Sequence, residues 1–292
     1  MVVAPAAVPE MAAVERGMAL LREWGYEVRE ARHLRARYRY TAGTAAQRSA
    51  DLIAALSEPG IDCVWLARGG YGCAHCLPLL PDALPRERMV VGFSDATALF
   101  CALYARGHTR LVHGPMVECL GGAADAATMH SLQALLATPA GSAPPARHRL
   151  AGRQVAGLAG SVRAPLIGGN LAVLASMAGT PWALRGAGAI VLLEEITEQA
   201  YRMDRMIVQL LASGFFDGVR AILLGDFVRC SVPADSQFTI AEMLVDLLAP
   251  LGVPIVEGVE VGHGARNLSW IVGATATLQD GSVDLDGAAR LP

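Results

Sequence analysis

In Met89-Val90-Val91-Gly92-Phe93-Ser94-Asp95-Ala96, an apolar strand runs directly into a helix that we expect to continue to Arg106. A serine at such a sharp strand-to-helix turn has its hydroxyl lifted clear of the sheet, and the following backbone N–H groups point into the same space. The start of the helix also favours developing negative charge. The ordinary alternative stays open, because Ser and Asp are the commonest residues at helix starts.

Strand and helix signals alternate on both sides of this junction. We expect strands at Val2–Ala4, Tyr26–Val28, Cys63–Leu66, Met89–Phe93 and Leu111–His113, and helices at Met11–Trp24, Ala45–Leu56 and Asp95–Arg106. The second half continues with strands at Ala189–Leu193, Ala221–Leu224 and Pro254–Glu257, helices at Arg202–Ala212 and Glu242–Leu248, and a hairpin turning at Asp280-Gly281. Such alternation predicts the α/β class, with a parallel sheet and right-handed crossovers.

A length of 292 residues favours two domains. We expect an N-terminal domain over 1–120, which carries Ser94, and a C-terminal domain over 163–292. The segment 121–162 between them is predicted to be a linker, because it has little periodicity and contains the breaker cluster Pro139–Pro145.

The charged residues restrict the chemistry. All 24 basic residues are arginine, against 27 acidic ones, and the net charge is −3. The absence of lysine excludes a Schiff-base or catalytic lysine and a P-loop, and the charge balance argues against nucleic-acid binding. No apolar run approaches the roughly 20 residues of a membrane span, and residues 1–10 do not resemble a signal peptide. We therefore expect a cytoplasmic protein without a membrane partner.

Cys73-Ala74-His75-Cys76 has the C-x-x-C spacing found in zinc and redox sites. A structural zinc site needs four ligands, and no second pair of Cys or His follows at a suitable spacing. A thioredoxin-like role has no support from the neighbouring residues. We interpret the four residues as the packed start of a helix, and we expect no metal and no cofactor. The six cysteines are typical of reduced, intracellular thiols.

Three further segments carry candidate catalytic groups. The glycines of Arg68–Gly72 follow a strand and form either an oxyanion hole or a plain turn. A buried strand ends in Glu194 and Glu195, where a carboxylate needs a partner such as histidine unless the strand end is solvated. His263 lies between two glycines in a loop, where exposed histidines are also common. Serine, acid and histidine in this chain are a sufficient set for acyl transfer.

Taken in order, these segments resemble the LD-carboxypeptidase family, which includes the microcin C self-immunity peptidases. The matching stretches are Val3-Ala4-Pro5, Arg68–Gly72, Gly92–Thr97, His113-Gly114-Pro115, Gly168–Leu171, Leu193-Glu194-Glu195, Tyr201–Arg205, Gly262-His263-Gly264 and Asn267. They cover nearly the whole chain. Ala6 departs from the serine that the family often has there, and 117–162 matches nothing specific.

The resemblance implies a serine peptidase with Ser94 as nucleophile, Glu194 as acid and His263 as base. It places the oxyanion hole at the amides of Gly70 and Asp95. It also implies a flavodoxin-like N-terminal parallel-sheet domain and a smaller C-terminal α/β domain. The activity that it implies is release of terminal D-alanine from cytoplasmic murein tetrapeptides, without a metal and by a homodimer. Besides the family pattern, strand parity lets only one of the two adjacent glutamates reach the cleft.

A carboxypeptidase must also bind a free carboxylate, and in a chain without lysine an arginine is the expected cation. The candidates are Arg68, Arg202 and Arg205, for which structural ion pairs are the alternative. His113 ends a strand and is placed to line the same cleft.

Two other functions stay open at this level. One is a relative that cleaves an acyl-sulfamoyl or amide bond in a peptide-nucleotide antibiotic. The other is a ligand-binding protein that kept the fold without activity. A decayed member should have lost at least one residue of the triad. The presence of the serine, the acid and the histidine therefore favours an enzyme.

Overall fold

The computed structural model describes residues 1–122, 124–137, 149–157 and 160–285. In chain order its strands are β1 Val2–Val3, β2 Cys63–Leu66, β3 Met89–Gly92, β4 Leu111–His113, β5 Arg149–Ala151, β6 Arg153–Ala156, β7 Val162–Asn170, β8 Ile190–Ile196, β9 Ala221–Val228, β10 Ile255–Glu257, β11 Trp270–Val272, β12 Thr275–Gln279 and β13 Ser282–Leu285. Its α-helices are α1 Met11–Glu23, α2 Ala45–Ser57, α3 Cys73–Cys76, α4 Ala96–Ala105, α5 Val117–Leu120, α6 Ala126–Leu136, α7 Leu171–Met177, α8 Ala200–Ala212 and α9 Ile240–Leu248.

The first sheet has the strand order β1-β2-β3-β4-β11. Strands β1 to β4 run parallel, as the alternation of strands and helices predicted. Strand β11 comes from the far end of the sequence and pairs antiparallel with β4, with Trp270 opposite His113. Every residue of β3 is buried, because a parallel sheet is covered by helices on both faces.

The strand predicted at Tyr26–Val28 is wrong. The chain forms no ladder there, and only Glu30 makes a parallel bridge, to Val2. The amide of Val2 donates to the carbonyl of Arg29 at 2.8 Å. Tyr26 is 45% exposed, so the segment does not present the buried surface that a parallel strand needs.

The second sheet has the order β5-β13-β12-β7-β8-β9-β10-β6. Its centre, β7 to β10, is parallel, and the predicted hairpin is confirmed as the antiparallel pair β12–β13. Helices on parallel strands in both halves confirm the predicted α/β class.

The segment predicted to be a linker contains α6, β5 and β6. The two strands add to the opposite edges of the second sheet. The breaker cluster Pro139–Pro145 lies outside the described residues, and the domain boundaries stay a prediction. Within the described ranges, no helix has both the length and the apolar character needed to cross a membrane.

The two halves of the chain meet where β7 ends and α4 begins. The amide of Asn170, the last residue of β7, donates to Oγ1 of Thr97 in the first turn of α4 at 3.1 Å. One apolar core runs through both halves and includes Leu99 of α4 and Leu192 of β8. The carboxyl ends of parallel strands are the usual place for ligands in α/β sheets. Ser94 follows such a strand, β3, with Phe93 between them.

Candidate active site

Ser94 occupies the turn between β3 and α4 in a left-handed backbone conformation, with φ of 61°. A residue with a side chain rarely adopts this conformation, and its cost is tolerated mainly at functional sites. The amide of Ala96 donates to the carbonyl of Phe93 at 3.2 Å, and that of Thr97 to the carbonyl of Ser94 at 2.9 Å. Ser94 is partly exposed while its two neighbours are buried. This is the geometry of a nucleophile elbow.

The glycine turn after β2 packs directly against Ser94. A Cβ atom on Gly69 would lie 3.1 Å from Cβ of Ser94 and 3.2 Å from its hydroxyl oxygen, so only glycine fits comfortably. Among the described residues, the amides of Gly70 and Asp95 donate no hydrogen bond to protein. An oxyanion hole requires amides without such partners, and its assignment to Gly70 and Asp95 stays a prediction.

Two buried polar side chains hold this glycine turn in place. The carboxylate of Asp95 accepts from the amide of Cys73 at 2.8 Å, and burial raises the pKa of that carboxyl. Arg48 is 2% exposed. It donates to the carbonyl of Pro5 at 2.8 Å and to that of Gly72 at 3.3 Å. The turn is therefore bonded at its end and tied to the N-terminal segment.

The C-x-x-C segment forms α3, where Cys73 and Cys76 are buried free thiols. Burial raises the pKa of both thiols, which suppresses the reactive thiolate. This environment agrees with the predicted packed helix start. In the described part of the chain, no three or more His, Cys, Asp or Glu side chains gather into a group that could hold a metal.

His263 and Glu194 form a close pair, although 69 positions separate them in the chain. The His263 Nδ1 lies 2.6 Å from the Glu194 Oε2. The carboxylate side chain has 0% exposure and the imidazole 14%. Gly262 allows the approach: its φ is 124°, and a Cβ there would lie 2.8 Å from the Glu194 Oε2. A carboxylate bound to Nδ1 orients the ring and leaves Nε2 for proton transfer.

A cluster of rings brings this pair to the serine turn. Phe93, the residue before Ser94, packs its ring 4.8 Å from that of His263, centroid to centroid. On its other side Phe93 lies 5.8 Å from the His113 ring, which stacks on Trp270 at 5.2 Å. The structure therefore gathers the predicted serine, acid and histidine around Phe93.

His113 is packed into this cluster rather than exposed to a cleft. It is fully buried, and neither ring nitrogen has a hydrogen-bond partner within the described residues. Burial, and then the charge of His263, lowers the pKa of His113 to about 3. The imidazole is therefore neutral, and it lies behind Phe93 as a packing group.

Glu195 points away from the His263 pair. Its carboxylate accepts from the Asn170 side-chain amide at 2.9 Å, from the Ala172 amide at 2.7 Å and from the Ile196 amide at 2.9 Å. Burial raises the pKa of this carboxyl, while those three donors lower it. The two adjacent glutamates thus face different surroundings, which agrees with strand parity, but it is Glu195 and not Glu194 that belongs to the lining of the cavity beside Ser94. Asn170 and Glu195 were not among the predicted site residues.

A cavity of about 300 Å³ opens in front of Ser94. Its lining includes Gly70, Tyr71, Ala74, Ser94, Asp95, Ala98, Asn170, Ala172, Val173, Ser176, Glu195 and Ile196. The glycine turn, the start of α4 and the end of β8 all contribute to this lining. None of the three candidate arginines belongs to the described lining.

Each candidate arginine has a partner elsewhere. Arg68 donates to the carbonyl of Val8 at 3.0 Å. Arg202 pairs with Glu198 at 3.4 Å, and the Arg205 guanidinium lies 5.6 Å from the Tyr201 ring centroid. The pair made by Arg202 agrees with the structural alternative. The assignment of an arginine to the substrate carboxylate stays a prediction.

Comparison with known proteins identifies the relatives of this chain. Residues 1–114 match the model of the LD-carboxypeptidase N-terminal domain, and residues 163–278 match that of the C-terminal domain. The murein tetrapeptide carboxypeptidase of Pseudomonas aeruginosa is 36% identical over 95% of this chain and 92% of its own length.

Solved structures agree with these sequence matches. The crystal structure of muramoyltetrapeptide carboxypeptidase from Oxalobacter formigenes superposes with a TM-score of 0.83 at 29% identity, over 100% of this chain and 99% of the other. The microcin C7 self-immunity protein MccF, in complex with aspartyl sulfamoyl adenosine, has a TM-score of 0.83 at 21% identity over 98% and 94% of the two chains. At 21% identity, the likeness to MccF shows a shared fold and no more.

Proposed function

This chain belongs to the LD-carboxypeptidase family, and on that premise we propose that it releases terminal D-alanine from murein tetrapeptides with Ser94 as nucleophile. One observation carries the proposal. Ser94 sits in a left-handed strand-to-helix turn whose preceding residue, Phe93, packs on the ring of His263, and that ring is bonded to the buried Glu194. These are the three roles that nucleophilic acyl transfer requires.

The first half of the reaction forms an acyl-enzyme. His263 removes the proton from the Ser94 hydroxyl as its oxygen attacks the carbonyl carbon before D-alanine. Glu194 orients the imidazole and stabilises the imidazolium that forms. The amides of Gly70 and Asp95 bind the oxyanion, and each such donor contributes about 10²–10³ in rate. The imidazolium then gives its proton to the departing amine of D-alanine.

The second half returns the enzyme to its starting state. A water molecule loses a proton to His263 and attacks the acyl carbonyl, and the imidazolium returns that proton to the Ser94 oxygen. The same two amides stabilise the second tetrahedral intermediate. The buried position of Glu194 supports both steps, because charges interact more strongly where water is excluded.

Relatives at higher identity favour murein as the substrate. The protein at 36% identity and the structure at 29% identity are both named for murein or muramoyl tetrapeptides. The antibiotic-cleaving alternative has only a likeness of fold, at 21% identity. The homodimer and the cytoplasmic location implied by the resemblance remain predictions, and light scattering of the purified protein tests the first.

The proposal is tested by D-alanine release from murein tetrapeptide. We expect Ser94→Ala to lower kcat by about 10⁴-fold or more, as loss of a nucleophile does in serine peptidases. Ser176→Ala is a matched control, because Ser176 is an exposed serine that lines the same cavity. Equal release by wild type and Ser94→Ala would reject the nucleophile. No release by wild type, with cleavage of an aspartyl sulfamoyl adenosine, would favour the antibiotic conjugate.

A further inference from the structure

Asp226 lies on β9 directly beneath the loop that carries His263. Its amide donates to the carbonyl of Val261 at 2.8 Å, two residues before the histidine. Its carboxylate packs against Gly264, one residue after the histidine, so closely that a Cβ atom on Gly264 would overlap it. The Gly264 amide also faces the carboxylate and stabilises its charge. Residue 226 therefore contacts the chain on both sides of His263, through its backbone amide before the histidine and through its carboxylate after it.

The charge of this carboxylate is costly in its surroundings. The pKa of Asp226 is raised to about 6, mainly by burial and also by the neighbouring Glu194 and Glu260, although the Gly264 amide and the charge of His263 lower it. Among the described residues no arginine pairs with Asp226. Arg266, the cation nearest in sequence to the loop, pairs with Glu260 at 2.9 Å and Asp125 at 3.0 Å. A neutral side chain of the same shape would fit here at a lower cost.

We propose that Asp226 is a positioning residue, which holds the Val261–Gly264 segment in place and adds a second negative charge behind His263. The inference rests on the proposed role of His263 as the base. Glu194 binds the imidazole directly, whereas Asp226 acts through the backbone on either side of it. Strained or desolvated groups persist where function requires them, often at the expense of stability.

The effect on stability has a definite sign. Because the fold raises the pKa of Asp226 above its ordinary value, the folded protein holds this proton more tightly than the unfolded chain does. The associated stability is fully present below about pH 4 and is lost as pH rises through about 6. Asp226→Asn is neutral at every pH. Its Tm should therefore exceed that of wild type at pH 8 by about 2–4 °C, and the difference should shrink towards pH 4.

The effect on activity runs in the opposite direction. Asn keeps an oxygen that can face the Gly264 amide, but it removes the charge that supports the imidazolium. We expect kcat to fall about 10-fold with little change in KM, and the acid limb of the kcat/KM profile to move to lower pH. Asp226→Ala also removes the carboxylate contact with Gly264. We therefore expect its kcat to fall about 100-fold, which is the usual cost of a misplaced catalytic group.

The experiment measures kcat, KM, pH profile and Tm for wild type, Asp226→Asn and Asp226→Ala. Asp235→Asn is the matched control, because it removes the same charge from an exposed loop. The proposal is overturned if Asp226→Asn leaves kcat and the acid limb unchanged, or if its Tm is below that of wild type at both pH values. Activity retained by Ser94→Ala would instead reject the proposed function. An inactive Ser94→Ala beside a fully active Asp226→Asn would reject this inference alone.

Discussion

Replacing Glu194 by Gln tests the core of the proposed mechanism, because it removes one charge and almost no volume. The Glu194 Oε2 lies 2.6 Å from the His263 Nδ1, and the side chain has no exposed surface. A carboxylate can only accept a hydrogen bond there, so the proton of the neutral ring stays on Nδ1. A Gln side chain can turn its NH₂ group towards Nδ1, which would place the ring proton on Nε2. The Nε2 atom could then no longer accept the proton of Ser94.

The magnitude follows from this change of tautomer. In serine peptidases, an acid-to-amide change at this position lowers kcat by about 10⁴-fold. At 1.36 kcal/mol for each factor of ten, this is about 5.4 kcal/mol of activation free energy. Stability should respond much less than activity, because the buried charge disappears together with its desolvation cost. We therefore expect a variant that folds like wild type and scarcely turns over.

The assay is D-alanine release from murein tetrapeptide at saturating substrate, with Tm measured on the same samples. Glu195→Gln is the matched control, because Glu195 is the adjacent buried carboxylate but binds Asn170 and two backbone amides rather than His263. It should lower kcat far less than Glu194→Gln and lower Tm more. The assignment of the acid would be refuted if Glu194→Gln kept kcat within about 10-fold of wild type. It would also be refuted if Glu195→Gln lowered kcat more than Glu194→Gln did.

Other variants probe groups around the site. His113→Phe keeps the stacking on Trp270, so kcat should change less than about 3-fold. Because burial lowers the pKa of His113 to about 3, the contribution of this residue to wild-type stability is lost as pH falls from about 6.5, and the Tm of His113→Phe should fall less than that of wild type between pH 7 and 5. Gln in place of Arg68, Arg202 or Arg205, tested one at a time, should raise KM for the arginine that binds the terminal carboxylate. If none of the three raises KM, no arginine of this set performs that role, and backbone amides are left.

The local features of the fold were accessible from the sequence because neighbouring residues specify them. Short apolar runs followed by helical periodicity predict the four parallel strands of the first sheet, although not β11, and the hairpin near the C-terminus follows from alternation and turn residues. The failure at Tyr26–Val28 has a clear reason, since a short run that contains strand-favouring residues such as Tyr and Val is equally compatible with an extended loop. Pairing with a partner strand is a non-local event that the run itself does not encode.

The sequence by itself determined the α/β class, the serine at a strand-to-helix junction, and a set of residues sufficient for acyl transfer. Only the tertiary structure decided which of these residues meet. Strand parity places Glu194 and Glu195 on opposite sides, but a shift in the register of β8 against β9 and the return of the chain through 262 decide which one contacts His263. The role that we propose for Asp226 has no sequence signal, because a lone aspartate on a strand resembles many others. The role can be inferred only from the contact between Asp226 and the loop that carries His263. Contacts over such long chain separations depend on strand order and not on local residue preference.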